Sequence, residues 1–235
     1  MIRLRPSQDR GQTRIDWLDS KHTFSFGTYF DPDQMGFRSL RVINDDRIKP
    51  AAGFGMHGHK NMEIITLVLA GELEHADSLG HGSVLRPGEV QAMSAGTGIR
   101  HSEFNPSPTE PTHFLQIWIE PDRLGLAPAY QQAEPKAWNG SPWRLLAHPH
   151  DPKTAVSLAQ DAEIWQGRAV AGERIEYALR PGRGLWLHVV DGTLKIGQTE
   201  LGPGDAVGIE DEEAVTLMAE TTPANFLLFD LGPAG

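Results

Sequence analysis

The chain contains no cysteine. Disulfides, thiol nucleophiles and sulfur ligands are therefore excluded, and any metal must be held by nitrogen and oxygen. Basic residues are in the minority, 21 Lys and Arg against 31 Asp and Glu, for a formal charge of -10. Such a balance argues against a broad electrostatic grip on nucleic acid or an anionic membrane. No apolar run approaches the ~20 residues that cross a bilayer. The opening Met1-Ile2-Arg3-Leu4-Arg5-Pro6 lacks the apolar core of a signal peptide, so the cytoplasm is the expected location. Helical periodicity of useful length is also missing, apart from a possible short helix over Leu124 to Tyr130.

What remains is strand-like sequence punctuated by Gly and Pro. Phe24, Phe26, Thr28 and Phe30 alternate with period two and predict a half-buried strand, followed by a turn at Asp31-Pro32-Asp33. Ser39 to Ile43 predicts another, ended by an acidic turn at Asn44-Asp45-Asp46. Glu63 to Ala70 is a continuous, β-branched apolar run that reads as a buried strand, and Phe114 to Ile119 is a further strand. Pro121 to Pro142 changes character, with Pro128, Pro135 and Pro142 spaced along it, and reads as a linker. Beyond it, Ile164 to Val170, Ile175 to Leu179, Leu185 to Val190, Val215 to Met218 and Phe226 to Phe229 again suggest strands.

The two halves repeat one another. Leu67-Val68-Leu69-Ala70-Gly71-Glu72-Leu73 matches His188-Val189-Val190-Asp191-Gly192-Thr193-Leu194, and Val84-Leu85-Arg86-Pro87-Gly88-Glu89-Val90 matches Glu200-Leu201-Gly202-Pro203-Gly204-Asp205-Ala206. Each copy reads strand, Gly turn, strand, Pro-Gly-acid turn. The expected fold is all-β, two tandem barrels, with domains at 1–125 and 143–235 and a linker at 126–142.

Chemistry concentrates in the first copy, in two clusters: His57, His59 and Glu63, then His101 and Glu103. Side chains two apart on a strand share a face, so His57 can stand beside His59, and His101 beside Glu103. Two such pairs on adjacent strands would offer three neutral nitrogens and a carboxylate oxygen, a set suited to a divalent first-row metal. Glu63 also falls on the His59 face if alternation continues through it, so spacing leaves both carboxylates open. In the second copy the positions matching His57, His59 and Glu63 are Ala178, Arg180 and Gly184, which cannot replace that array.

His57-x-His59-x3-Glu63-x7-Gly71 resembles the first cupin motif, and Pro87-Gly88 with His101-x3-Asn105 resembles a stretched form of the second. The likeness to the pirin family of bicupins is closer. It is carried by Trp17-Leu18-Asp19-Ser20, His22-Thr23-Phe24-Ser25-Phe26, Leu40-Arg41-Val42-Ile43-Asn44-Asp45-Asp46 and Ser94-Ala95-Gly96-Thr97-Gly98-Ile99-Arg100-His101-Ser102-Glu103. The resemblance implies two cupin barrels with iron or another divalent metal in the first only, held by His57, His59, His101 and Glu103. Nickel, copper, manganese and zinc suit the same donors. It further implies quercetin 2,3-dioxygenase activity on a small planar phenol with dioxygen; for that reaction Glu103 or Glu63 is the candidate base for the phenolic proton, and the apolar strand residues Phe54, Met93 and Phe114 are expected to hold the flat ring. The alternative it implies is a non-catalytic, metal- or redox-sensing regulatory protein, as for the animal pirin.

Other polar residues receive plainer expectations. Trp17, His22 and His188 should pack or hydrogen-bond, and His75 with Asp77 should be an exposed strand-end pair. His81, His148 and His150 should face solvent, His113 could face the barrel interior without acting as a ligand, and Arg100 either orients the site or is a surface charge.

Overall fold

In the computed structural model, which describes residues 1–149 and 154–233, antiparallel strands follow one another through turns; among the described residues helical structure is limited to a 3-10 turn at Ser7–Asp9. The first barrel has a seven-stranded sheet in the order Ala129–Ala133, Val90–Ser94, Glu63–Ala70, Thr112–Ile119, Leu40–Ile48, Leu18–His22, Gly11–Arg14. Its smaller sheet runs Gly53–His59, Ile99–Phe104, Leu73–Asp77, Gly82–Leu85. The second barrel pairs a six-stranded sheet, Ile2–Arg5, Ala206–Ile209, Gly184–Asp191, Ala224–Leu231, Ala162–Ala169, Trp143–Ala147, with a four-stranded one, Arg174–Ala178, Ala214–Met218, Leu194–Ile196, Thr199–Leu201.

The large sheets pack back to back, which explains why their central strands are apolar on both faces. Along Glu63–Ala70, Ile64 and Val68 belong to clusters within the first barrel. Ile65 and Leu67 join Ile43, Leu115 and Ile117 in a core shared with Ile164, Trp186, Leu227 and Phe229 of the second. Full burial of each such side chain is worth roughly 1.5–3 kcal/mol, enough in sum to bind the barrels to each other. The repeat is structural as well. Gly71 and Gly192 both have left-handed φ, +73° and +77°, and a Cβ there would come within 2.6 Å of the Pro111 carbonyl and 2.0 Å of the Pro223 carbonyl. Only glycine fits either position.

Three local expectations fail for physical reasons. Phe24 to Phe30 is not a strand: Gly27 takes a φ of 59° inside a tight Phe26–Tyr29 bridge, Phe24 is buried against Trp186, and Phe26 packs edge-on to Trp118. The acidic Asn44-Asp45-Asp46 is no turn but the middle of strand Leu40–Ile48, where Asp45 is bound by His113, Arg47 and Arg10. Leu124 to Tyr130 forms no helix; Ala129–Ala133 instead adds to the large sheet beside Val90–Ser94. The N-terminal strand Ile2–Arg5 crosses over to pair with Ala206–Ile209 of the second barrel.

The second barrel closes the place that its partner leaves open. Arg180, which matches His59 in the repeat, reaches Glu163 at 2.6 Å and Asp230 at 3.0 Å. Arg183 also binds Asp230, and the Tyr177 hydroxyl donates to the same carboxylate at 2.8 Å. An ionic cluster thus stands where imidazoles stand in the first barrel.

Candidate metal centre

Strands Gly53–His59 and Ile99–Phe104 are antiparallel neighbours, with His101 directly opposite His57 and Ile99 opposite His59. Between His101 and Glu103 the register slips, so that Glu103 faces Phe54; such a bulge turns side chains relative to a regular ladder. The three imidazoles form a triangle with ring centroids 4.8, 4.5 and 4.9 Å apart. One nitrogen from each lies within 4.8 Å of the other two. His57 Nδ1 lies 2.8 Å from the Gly55 carbonyl, which makes it the N–H and leaves Nε2 as the free lone pair.

Electrostatics hold His59 and His101 neutral. Burial, followed by the neighbouring His57, lowers His59 to about 4; burial and then His57 and His59 lower His101 to about 2. His101 is fully buried, and neither ring nitrogen has a hydrogen-bond partner. Buried polar atoms are paired in the great majority of proteins, at a cost of ~1–3 kcal/mol when they are not. A divalent cation takes the lone pair of one of those two nitrogens alongside nitrogens of His57 and His59, so the donor set fits a metal.

A cavity of about 350 Å³ opens in front of the triangle. Phe26, Phe54, Leu18 and Trp118 supply its apolar wall, and Ser20, His22, Asn44, Asp46, Glu103 and Gln116 its polar one. Of the aromatic wall expected from sequence, Phe54 lines the cavity, whereas Met93 and Phe114 lie in the hydrophobic clusters. Glu103 is buried, and the Gln116 amide donates to both its oxygens at 2.9 Å. Burial raises its pKa to about 7 despite those bonds. The close group of donor atoms consists of the three histidines, without Glu103.

Glu63 lies elsewhere. The chain leaves the strand between His59 and Glu63, with Asn61 at a φ of 52°, and alternation does not carry through that turn. Its carboxylate accepts from Ser94 Oγ at 2.8 Å and from the Ala159 N–H of the second barrel at 3.3 Å. It shares the parity of Ile65 and Leu67, facing the inter-barrel core. His75 also departs from expectation: it is wholly buried, stacked on Tyr130 at 4.6 Å and 5.4 Å from the His101 ring. Asp77, likewise buried, bonds both His75 and the exposed His81. His113 bonds Asp45 at 2.7 Å, His148 is partly buried 3.5 Å from Glu163, Arg100 is exposed, and His150 lies outside the described residues. His22 is bound at both nitrogens, to Thr13 and Asn44 at 2.8 Å each. The residue that sequence reasoning missed is Asp46, whose alternation with Asn44 along one strand was the available signal.

Two barrels of this topology, one with three converging imidazoles, define a bicupin with a candidate metal centre. Residues 3–119 match the family model Pirin, and residues 145–231 match the Quercetinase C-terminal cupin domain. The chain belongs to the pirin family. It is 44% identical to the quercetin 2,3-dioxygenase of Escherichia coli K12 over 233 residues, covering 99% of this chain and all of that protein. A pirin-like protein of Caulobacter vibrioides is 40% identical over 221 residues, 93% of this chain and 95% of the relative. Among solved structures, bacterial pirin YhhW of Escherichia coli in complex with nickel(II) superposes with a TM-score of 0.94 at 44% identity, covering 99% of this chain and 100% of that one.

Proposed function

We propose that the protein is a metal-dependent dioxygenase that opens the central ring of flavonols such as quercetin. The carrying observation is that His101 is buried with both nitrogens unpartnered beside His57 and His59, and that those two line one part of a largely apolar cavity. Full-length likeness to proteins named quercetin 2,3-dioxygenase supports this reading, and likeness to a nickel(II) complex supports a metal. In this proposal His57, His59 and His101 hold one divalent ion, with Glu103 as fourth ligand; iron is the favoured ion, and nickel, copper, manganese and zinc suit the same donors. When bound, the ion supplies Lewis-acid polarisation of a phenolic oxygen and a redox partner for dioxygen.

The chain's own groups do the rest. Phe26, Phe54 and Trp118 clasp the flat ring system and displace water from it. Glu103, buried beside the imidazoles, is the group placed to accept the proton of the flavonol 3-hydroxyl, and Gln116 sets the orientation of its oxygens. Glu63, turned toward the second barrel, is given no part in that step.

The test is to load purified protein separately with iron, nickel, copper or manganese and supply quercetin in air. Loss of flavonol absorbance should be matched by dioxygen uptake, and both should vanish in His57→Ala and His101→Ala. Absence of turnover with every metal, together with metal-dependent binding to a protein partner, would replace this reading with a regulatory one.

A further inference from the structure

The polar wall of the cavity can be accounted for bond by bond. Gln116 gives its N–H groups to Glu103, while its oxygen accepts the Thr66 hydroxyl at 2.6 Å. His22 is engaged at both nitrogens, and the Asn44 oxygen is one of its partners. Asp46 stands apart. It is 3% exposed, it lines the cavity, and its Oδ1 has no hydrogen-bond partner. An orphaned acceptor costs ~1–3 kcal/mol, and one kept beside a ligand-sized space is met when a donor enters that space.

Position sharpens the point. The imidazoles belong to the small sheet, on strands Gly53–His59 and Ile99–Phe104, whereas Asp46 belongs to the large sheet, on Leu40–Ile48. A planar ligand with one oxygen at the imidazoles therefore presents its other substituents toward the sheet that carries Asp46, with Phe26 and Trp118 along its apolar faces. We infer that Asp46 accepts a hydrogen bond from a second hydroxyl of the bound phenol and so makes the cavity selective for polyhydroxylated planar phenols. This rests on the proposed function only in that the ligand is a phenol entering at the metal.

The experiment uses full-length, nickel-loaded protein and follows quenching of tryptophan fluorescence, Trp118 being in the cavity wall. Quercetin is compared with 3-hydroxyflavone, which keeps the 3-hydroxyl and lacks the others. The wild type should bind quercetin more tightly by roughly twofold to tenfold, the range for an ordinary net hydrogen bond, since burial raises Asp46 to about 7. Asp46→Ala should remove that gap by weakening quercetin alone, with nickel content and 3-hydroxyflavone affinity unchanged. Asp46→Asn, which keeps the shape and one acceptor oxygen without the charge, should narrow the gap and carries the test if the alanine variant does not fold. Equal wild-type affinity for the two flavonols overturns the assignment, as does a variant that weakens both alike or preserves the gap. Tight quercetin binding without consumption under iron, nickel, copper and manganese alike retires the dioxygenase chemistry while leaving the Asp46 comparison decisive; binding of neither flavonol overturns both.

Discussion

His188 gives the sharpest stability prediction because its surroundings are complete. It is 1% exposed on strand Gly184–Asp191, its Nδ1 lacks a partner, and its charged neighbours are Arg10 and Asp45 from the first half and Asp205 from the second. Burial first, then Arg10, lower its pKa from 6.5 to about 4, against the smaller opposing pull of Asp45 and Asp205. The folded protein therefore resists a proton that the unfolded chain takes up readily. Stability from this group is fully present above pH 6.5 and is lost as pH falls toward 4, where the folded state protonates too. At about 1.4 kcal/mol per pKa unit, the loss amounts to about 3 kcal/mol. Urea unfolding of the chelator-treated protein and of His188→Gln, each from pH 7.5 down to 4, isolates it, since every other titration is shared. The wild type should lose about 3 kcal/mol more than the variant over that window. Parallel pH profiles would refute the reasoning.

Three further outcomes are expected. His101→Ala should lose most of its bound metal, measured by elemental analysis after purification without an affinity tag, while retaining the wild-type far-ultraviolet spectrum. Asp230→Ala removes the buried carboxylate shared by Arg183, Arg180 and the Tyr177 hydroxyl, leaving Arg183 the exposed Asp161 and Arg180 Glu163, and should cost about 1.5–3 kcal/mol in urea unfolding, the range for hydrogen bonds to a charged group. Glu63→Gln should keep full metal content and flavonol turnover, and a parallel loss of metal would show that Glu63 acts at the centre from its place beside Ser94 and Ala159.

The metal triad was legible because its signal is short-range. Two histidines one residue apart on a strand share a face whatever the rest of the chain does, and the internal repeat showed that the second barrel had lost the array. What stayed hidden depends on breaks in alternation and on distant cover. Asn61 ends the strand that seemed to carry Glu63 with His59. His75 appears exposed until Tyr130, arriving from a segment that reads as a linker, is laid over it. Asp46 is disguised by its neighbour: Asp45, on the opposite face of the strand, is bound by Arg10, Arg47 and His113, and the acidic triplet then looks like a turn although the strand runs straight through it.

Strand Ile2–Arg5 hydrogen-bonds to Ala206–Ile209, at the far end of the chain in sequence. During synthesis this segment leaves the ribosome long before its docking edge exists, so the leading barrel can mature with its own first residues still hanging loose. Its capture is then a late latch, and a bulky tag fused ahead of Ile2 should show its effect on the trailing barrel, in slower refolding or easier proteolysis there, far from the histidines.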